Sequence, residues 1–246
     1  MKILKIGGSV ITNKDKYRSV NRESITNIAK VLGEFPEPLI LVHGAGSFGH
    51  NKSLEFGLDT PGKVRGREIE ISTVINDVLS LNSIISDALA GEGFRGISLP
   101  THAIYGNNGP NLDIVEEMLR NTFSPILYGD IIIQKGNYRI ISGDEIILDM
   151  SRKFKPDEII FATDVDGLYS SDPKEYSNAK FFRDVRASEL NIKDKGKDAT
   201  GSMTGKVEKI KLMLPFTRKV MIVNGMFPER LRKALNDEDT IGTVVH

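Results

Sequence analysis

Cysteine is absent from the 246-residue chain, which removes disulfides, thiolate metal sites and cysteine nucleophiles together. Histidine is scarce: four scattered positions give a zinc site little to draw on. Net charge is missing too, because 33 Lys and Arg balance 33 Asp and Glu. No global field therefore attracts nucleic acid or an anionic membrane, and any anion site must come from a local cluster of positive charge. Long apolar runs are lacking; none approaches the roughly 20 residues that span a bilayer. Met1-Lys2-Ile3-Leu4-Lys5 enters a strand pattern directly, with no basic region ahead of a long apolar stretch. The expectation is a soluble, cytoplasmic protein with no nucleic-acid or membrane partner. What is present, 39% hydrophobic and 27% charged residues, suits a packed core with a solvated surface, as one large α/β domain or two fused lobes.

Short β-rich runs alternate with helical patterns. Strands are predicted at 2–6, 38–43, 96–99, 125–128, 131–134, 138–142, 158–163 and 220–224, and helices at 22–32, 68–90, 113–121, 144–153 and 205–214. Leu39-Ile40-Leu41-Val42 is apolar on both faces, as in a parallel strand covered on both sides. The alternation predicts a three-layer αβα sandwich around a mainly parallel open sheet. The Gln134-Lys135-Gly136-Asn137 turn interrupts it and predicts a β-hairpin insertion. No linker separates the halves, so two lobes, 1–154 and 155–246, are expected to share one continuous sheet.

Three glycine-rich stretches stand at strand or helix ends. Lys5-Ile6-Gly7-Gly8-Ser9 closes the first strand; glycines there let backbone N–H groups converge on one point, and Lys5 sets an ammonium beside them. Alone, this is equally a plain strand-to-helix turn. His43-Gly44-Ala45-Gly46-Ser47-Phe48-Gly49-His50 follows the apolar strand and looks like a dinucleotide-binding turn. It is followed by a long Lys/Arg-containing loop, 51–67, rather than by a strand ending in an acidic residue. The third stretch, Thr200-Gly201-Ser202-Met203-Thr204-Gly205-Lys206, opens a helix. It lacks Walker spacing and has no Ser or Thr after Lys206, but it still offers amides and a lysine to an anion. Together the three suit a polyphosphate.

The Lys-Ile-Gly-Gly-Ser opening resembles the amino-acid kinase superfamily. So do Thr163-Asp164-Val165-Asp166-Gly167-Leu168-Tyr169 with Asp172-Pro173, and the 200–206 loop. These marks run from Lys5 to Lys206 in the superfamily's order. The loop ending in His50 is similar to that of the isopentenyl phosphate kinase and fosfomycin kinase branch, most of all the isopentenyl phosphate kinases. The resemblance implies transfer of the ATP γ-phosphoryl group to isopentenyl phosphate, giving isopentenyl diphosphate for isoprenoid synthesis by the alternative mevalonate route. It implies catalytic roles for Lys5, Lys14, His50, Asp144 and Lys206. ATP contacts are implied at Lys5, Gly7, Gly8, Ser9, Gly46, Asp164, Tyr169, Gly201 and Lys206, and acceptor contacts at Gly44, Ala45, Gly46, His50 and Gly129. Lys5 and Lys206 would bracket the ATP phosphates, oriented by Asp144, while Lys14 would stabilise the transition state. Asp144 is equally a helix N-cap by position, and Gly129 equally a turn glycine. Magnesium would be held by ATP oxygens, with no protein ligand, and the chain would form a homodimer.

An acceptor that is already a phosphate needs no general base, since its second pKa is about 6. Its tail would lie along helix 68–90, where Ser72, Ile75 and Val78 stand beside residues that mostly pack the core. Other acceptors stay open: fosfomycin shares the histidine loop, a nucleoside monophosphate calls for base-reading polar groups, and glutamate calls for an amide or cationic grip. A non-catalytic nucleotide-binding protein on the same fold is the reading from a different class; binding alone would not need Lys5, Lys14, Lys206 and Asp144 all at once.

Overall fold

The computed structural model describes residues 1–171, 173, 175, 176, 178–189 and 203–246, apart from the side chains of Met203, Thr204 and Lys206. Eight strands form the main sheet: β1 (Lys2–Ile6), β2 (Ile40–His43), β3 (Gly96–Ser98), β4 (Ser124–Tyr128), β5 (Glu158–Thr163), β6 (Asp184–Val185), β7 (Lys219–Asn224) and β8 (Gly242–Val245). Their spatial order is β6-β8-β7-β5-β1-β2-β4-β3. Neighbours run parallel except at the antiparallel β7–β8 pair. The register sets Ile6 level with both His43 and Ala162, and His43 level with Tyr128. The turns that leave these strands therefore line one edge, the carboxyl edge where open α/β sheets bind ligands.

The helices are α1 (Gly8–Ile11), α2 (Arg22–Glu34), α3 (Gly46–Glu55), α4 (Glu68–Gly91), α5 (Thr101–Ile104), α6 (Asp113–Arg120), α7 (Gly143–Phe154), α8 (Met203–Met213) and α9 (Pro228–Leu235). Alternate residues of each strand point to opposite faces, and both faces are covered. Ile3, Val42, Leu127 and Phe161 pack with Val115 of α6, Ile146 and Met150 of α7 and Ile210 of α8. Leu4, Leu41, Ile160 and Val223 pack with Ile28 of α2, Phe48 of α3, Leu81 and Ile85 of α4 and Leu231 of α9. This is the predicted three-layer sandwich. The hairpin is there as well, Asp130–Gln134 against Asn137–Ile141, turning through Lys135 and Gly136 at φ 50° and 74°. A third short strand, Gly62–Lys63, joins it.

Three expectations need correction. The segment read as a long loop after His50 begins as helix: α3 runs to Glu55, and the Gly62–Lys63 strand lies further on. The second strand starts at Ile40 rather than 38, because the Leu39 amide donates to the Ser124 hydroxyl, 3.1 Å, instead of joining the ladder. The N-cap of α7 is Ser142, whose side chain accepts from the Glu145 amide at 3.2 Å. Asp144 is thus the second helical residue, released from capping.

Candidate functional site

The two glycine turns meet. A Cβ built on Gly8 would lie 2.6 Å from the Gly46 nitrogen, and one on Gly44 would lie 2.6 Å from the Gly8 nitrogen. Real Cβ atoms do not come so close, so glycine is required for backbone to touch backbone here. Gly46 also takes φ +50°, and a Cβ on it would collide with the Thr12 hydroxyl at 2.2 Å. Thr12 ties the pair together, donating to the Gly8 carbonyl at 2.8 Å and accepting from the Ser47 amide at 3.0 Å. Gly44 donates to the Ile6 carbonyl and Gly7 to that of Ala162. Among the described residues, the amides of Gly8, Ser9, Ala45 and Gly46 donate to no protein acceptor. Four unspent N–H groups at one junction form an anion cradle.

Lys5, on β1, forms an ion pair with Asp144 of α7. Both are largely buried, their side chains 14% and 10% exposed, and the Lys5 ammonium lies 5.8 Å from the centre of the Phe161 ring. Gly143 admits the lysine stem: a Cβ there would lie 3.0 Å from Lys5 Cε. A cation is thus fixed beneath the cradle in a partly desolvated place, where it acts on anions more strongly than at the surface.

His50 is exposed on α3. Its Nδ1 lies 3.1 Å from the Gly46 carbonyl oxygen, one turn back. Donation from Nδ1 to that carbonyl leaves Nε2 for a ligand. Gly129, at the end of β4, donates to the His43 carbonyl at 3.1 Å, and a Cβ on it would stand 3.8 Å from the Ala45 nitrogen. The acceptor residues expected from the sequence, Gly44, Ala45, Gly46, His50 and Gly129, are therefore gathered at the ends of β2 and β4. Lys14 is exposed in the loop after α1.

On the other side, Asp164 and Asp166 follow β5. Burial opposes the Asp166 charge, but hydrogen bonds from Asn224 (2.9 Å) and Arg230 (2.5 Å) prevail and hold its carboxyl below the usual carboxylate range. Asp166 thus joins the ends of β5 and β7 to α9. Tyr169 packs on Phe181, ring centres 5.3 Å apart. Gly201, Asp172 and the Lys206 side chain, assigned from the sequence, lie outside the described residues.

Sequence reasoning missed several groups. His43, quoted only as the start of a motif, is fully buried, stacked 5.2 Å from Tyr128, with ring nitrogens 3.0 Å from the Gly44 carbonyl oxygen and 3.2 Å from the Asn82 side-chain oxygen Oδ1. Burial lowers its pKa despite those bonds, so it serves as a neutral support under the loop. Asp130 is buried after Gly129; it accepts from the Ile131 amide (2.8 Å) and from both the backbone and ring of His102 (3.1 and 2.7 Å). That hydrogen bond raises the His102 pKa. Asp77 and Asn82 are buried on α4, which had been read only for its apolar surface. The proposed tail residues divide: Ser72 is exposed, Val78 is buried under Gly49, and Ile75 borders a small cluster of Leu58, Ile71, Val74, Ile131 and Tyr138.

A β-sheet carboxyl edge carrying paired glycine turns, with a lysine–aspartate pair beneath, defines the class. The model of the amino acid kinase family matches residues 1–224, and the chain belongs to that family. Within it, the chain is 38% identical to an isopentenyl phosphate kinase of Thermoplasma acidophilum over 100% of both chains. It is 33% identical to one of Methanothermobacter thermautotrophicus, over 99% of this chain and 98% of the relative. The solved structure of an isopentenyl phosphate kinase substrate complex superposes with a TM-score of 0.88 at 37% identity, covering 100% of both chains. A UMP kinase of Ureaplasma parvum, at 16% identity and TM-score 0.67, shares the fold alone.

Proposed function

We propose that the protein is an ATP-dependent kinase that converts isopentenyl phosphate to isopentenyl diphosphate, a step of isoprenoid precursor synthesis. The observation that carries this reading is the contact between the two glycine turns. It brings the first turn (Gly7, Gly8, Ser9, with Lys5), which we assign to the nucleotide, against the second (Gly44, Ala45, Gly46, with His50), which we assign to the acceptor. The relatives act on isopentenyl phosphate, and their likeness extends over the whole chain.

In the reaction, a non-bridging oxygen of the acceptor phosphate attacks the ATP γ-phosphorus in line. The new P–O bond forms as the bond to the β,γ-bridging oxygen breaks, and ADP leaves with that oxygen. The acceptor is ionised near neutral pH, so no base removes a proton. Catalysis is then positioning and charge neutralisation. Backbone amides of both turns orient the two phosphates, His50 donates to the acceptor, and Lys5 neutralises charge on the transferred group. We assign Lys14 to the transition state, and Lys206 and Gly201 to the nucleotide phosphates. Asp164 and Tyr169 are assigned to the nucleotide side, with residues 1–154 taking the acceptor and 155–246 the nucleotide. Among the described residues, no group of three or more His, Asp and Glu side chains is placed to hold a metal ion. The oxygens of ATP itself are the hard donors that fit Mg2+, and the ion would enter with the nucleotide. We further infer a homodimer working in the cytoplasm; no helix among the described residues is long and apolar enough to cross a membrane.

The test is ADP release with isopentenyl phosphate, fosfomycin, UMP and glutamate offered side by side. Isopentenyl phosphate is expected to give the highest kcat/KM. Turnover of another acceptor without isopentenyl phosphate would overturn the assignment.

A further inference from the structure

One carboxylate near the site has no part in the chemistry above. Asp77 is 4% exposed, midway along α4. A charge buried on a helix that otherwise presents Val74, Val78 and Leu81 to the interior costs stability unless it is paired, and even a good pair seldom outperforms an apolar residue of similar size. Its partners come from the loop between α1 and α2. The Tyr17 hydroxyl donates to Asp77 Oδ2 at 2.5 Å, and the Arg18 guanidinium lies 3.3 Å from Oδ1. Each carboxylate oxygen is thus engaged by one residue of the loop that carries Lys14.

Within the loop, the Lys16 amide donates to the Asn13 carbonyl (3.3 Å) and the Ser19 amide to the Lys16 carbonyl (3.2 Å), which shape the tip without tying it to the helices. The loop's base is closed by the Thr12–Val20 bridge, by the Asn13 amide on the Ser19 carbonyl (3.0 Å) and by the Ser19 amide on the Ser47 hydroxyl (3.3 Å). Residues 13–18 are all exposed. At the tip, Tyr17 receives the Lys52 ammonium 5.2 Å from its ring centre, and Arg18 lies 5.6 Å from that of Phe48. Arg18 takes φ +51°, a left-handed conformation that a non-glycine residue holds only when its surroundings fix it. Asp77 is the anchor on which these contacts converge.

We propose that Asp77 is a positioning residue for phosphoryl transfer: through Tyr17 and Arg18 it holds the Lys14 loop against α3 and α4, and so fixes where Lys14 can meet the transferred group. This rests on the role assigned to Lys14. Because α4 also supplies Val74 and Ile75 to the cluster with Leu58, and Val78 under Gly49, the same anchor links the helix assigned to the acceptor's tail to Lys14.

The test is steady-state kinetics of Asp77→Asn, and of the pair Tyr17→Phe and Arg18→Gln, each with Lys14 intact and with Lys14→Ala. Asp77→Asn keeps the shape but loses the charge; the Tyr17 and Arg18 changes act from an exposed loop and leave the core untouched. With Lys14 intact, both are expected to lower kcat by on the order of 10²-fold, the effect of small misplacements of a catalytic group, with both KM values little changed. In the Lys14→Ala background neither is expected to lower kcat further, the non-additivity of residues acting as one unit. A full additional loss in that background would overturn the positioning role alone. So would a shift confined to the thermal midpoint. If Lys14→Ala by itself leaves kcat intact, the assignment of Lys14 falls and the proposal falls with it.

Discussion

The turns that end β1 and β2 and the loop that carries Lys14 lie side by side, and they are held by different means. The turns are fixed mostly by main chain, with Gly8 against Gly46 and hydrogen bonds to Ile6 and Ala162, and the Thr12 hydroxyl bridges them. The loop closes on itself through main chain at its base, but its tip is fixed to the rest of the protein by side chains, chiefly Tyr17 and Arg18 on a single buried carboxylate. On the proposed function, the phosphates bound in every turnover meet the main-chain half. A main-chain cradle beside a lysine loop clamped by side chains suits a reaction in which both substrates arrive with charge and only the transition state needs the extra cation.

The sharpest way to break this contrast is Lys5→Met. It removes the cation beneath the cradle and leaves Asp144 buried without that partner; kcat is expected to fall by about 10²- to 10³-fold. Gly8→Ala comes next. Its methyl group would have to displace the Gly46 backbone, so kcat/KM is expected to drop by about 10²-fold, with a loss of about 1–3 kcal/mol in urea unfolding. A tolerated alanine would show that the turns are not in rigid contact. His50→Ala removes one donor to a charged acceptor, worth about 1.5–3 kcal/mol. It should appear as a raised KM for the acceptor with the KM for ATP unchanged, and an unchanged acceptor KM would remove His50 from the site.

The smallest effect is expected beyond the end of β5, with Arg230→Met. Asp166 has its carboxyl held low by Asn224 and Arg230, so its contribution to stability is complete above the unfolded carboxylate pKa and is lost as pH falls through the lower folded value. In wild type, thermal midpoints should therefore carry an added decline on the acid side. In Arg230→Met that decline should flatten. The Asp166 side chain is 37% exposed, so the difference should be modest and shrink in high salt.

The parts built by main chain were the legible ones. Glycines after apolar strands need only local rules to read, and Gly7, Gly8, Gly44 and Gly46 fell where those rules put them. Leu39-Ile40-Leu41-Val42 reported a strand buried on both faces because its composition carries that information directly. The contact between the turns was not readable, since it depends on the parallel register of Ile6 with His43. The Asp77 clamp was hidden for a related reason. Asp77 and Tyr17 are 60 residues apart, and a single aspartate in an amphipathic pattern looks like a solvated position. Helix α3 was missed because glycines, His50 and Lys52 mask its periodicity, while its buried side, Ser47, Phe48, Gly49 and Ser53, is mostly small. Asp144 was placed at the right helix and in the right pairing, with Lys5; only its alternative as an N-cap fails, because Ser142 caps instead.

Phosphorus NMR of the reaction mixture tests the central claim most directly. With ATP, Mg2+ and isopentenyl phosphate, the account predicts that the acceptor's single monoester resonance gives way to a coupled pair from a diphosphate, matched one for one by ADP. ADP accompanied by inorganic phosphate, with the monoester resonance unchanged, would contradict it: the enzyme would then be delivering the γ-phosphoryl group to water, and the two cradles would not be serving one transfer.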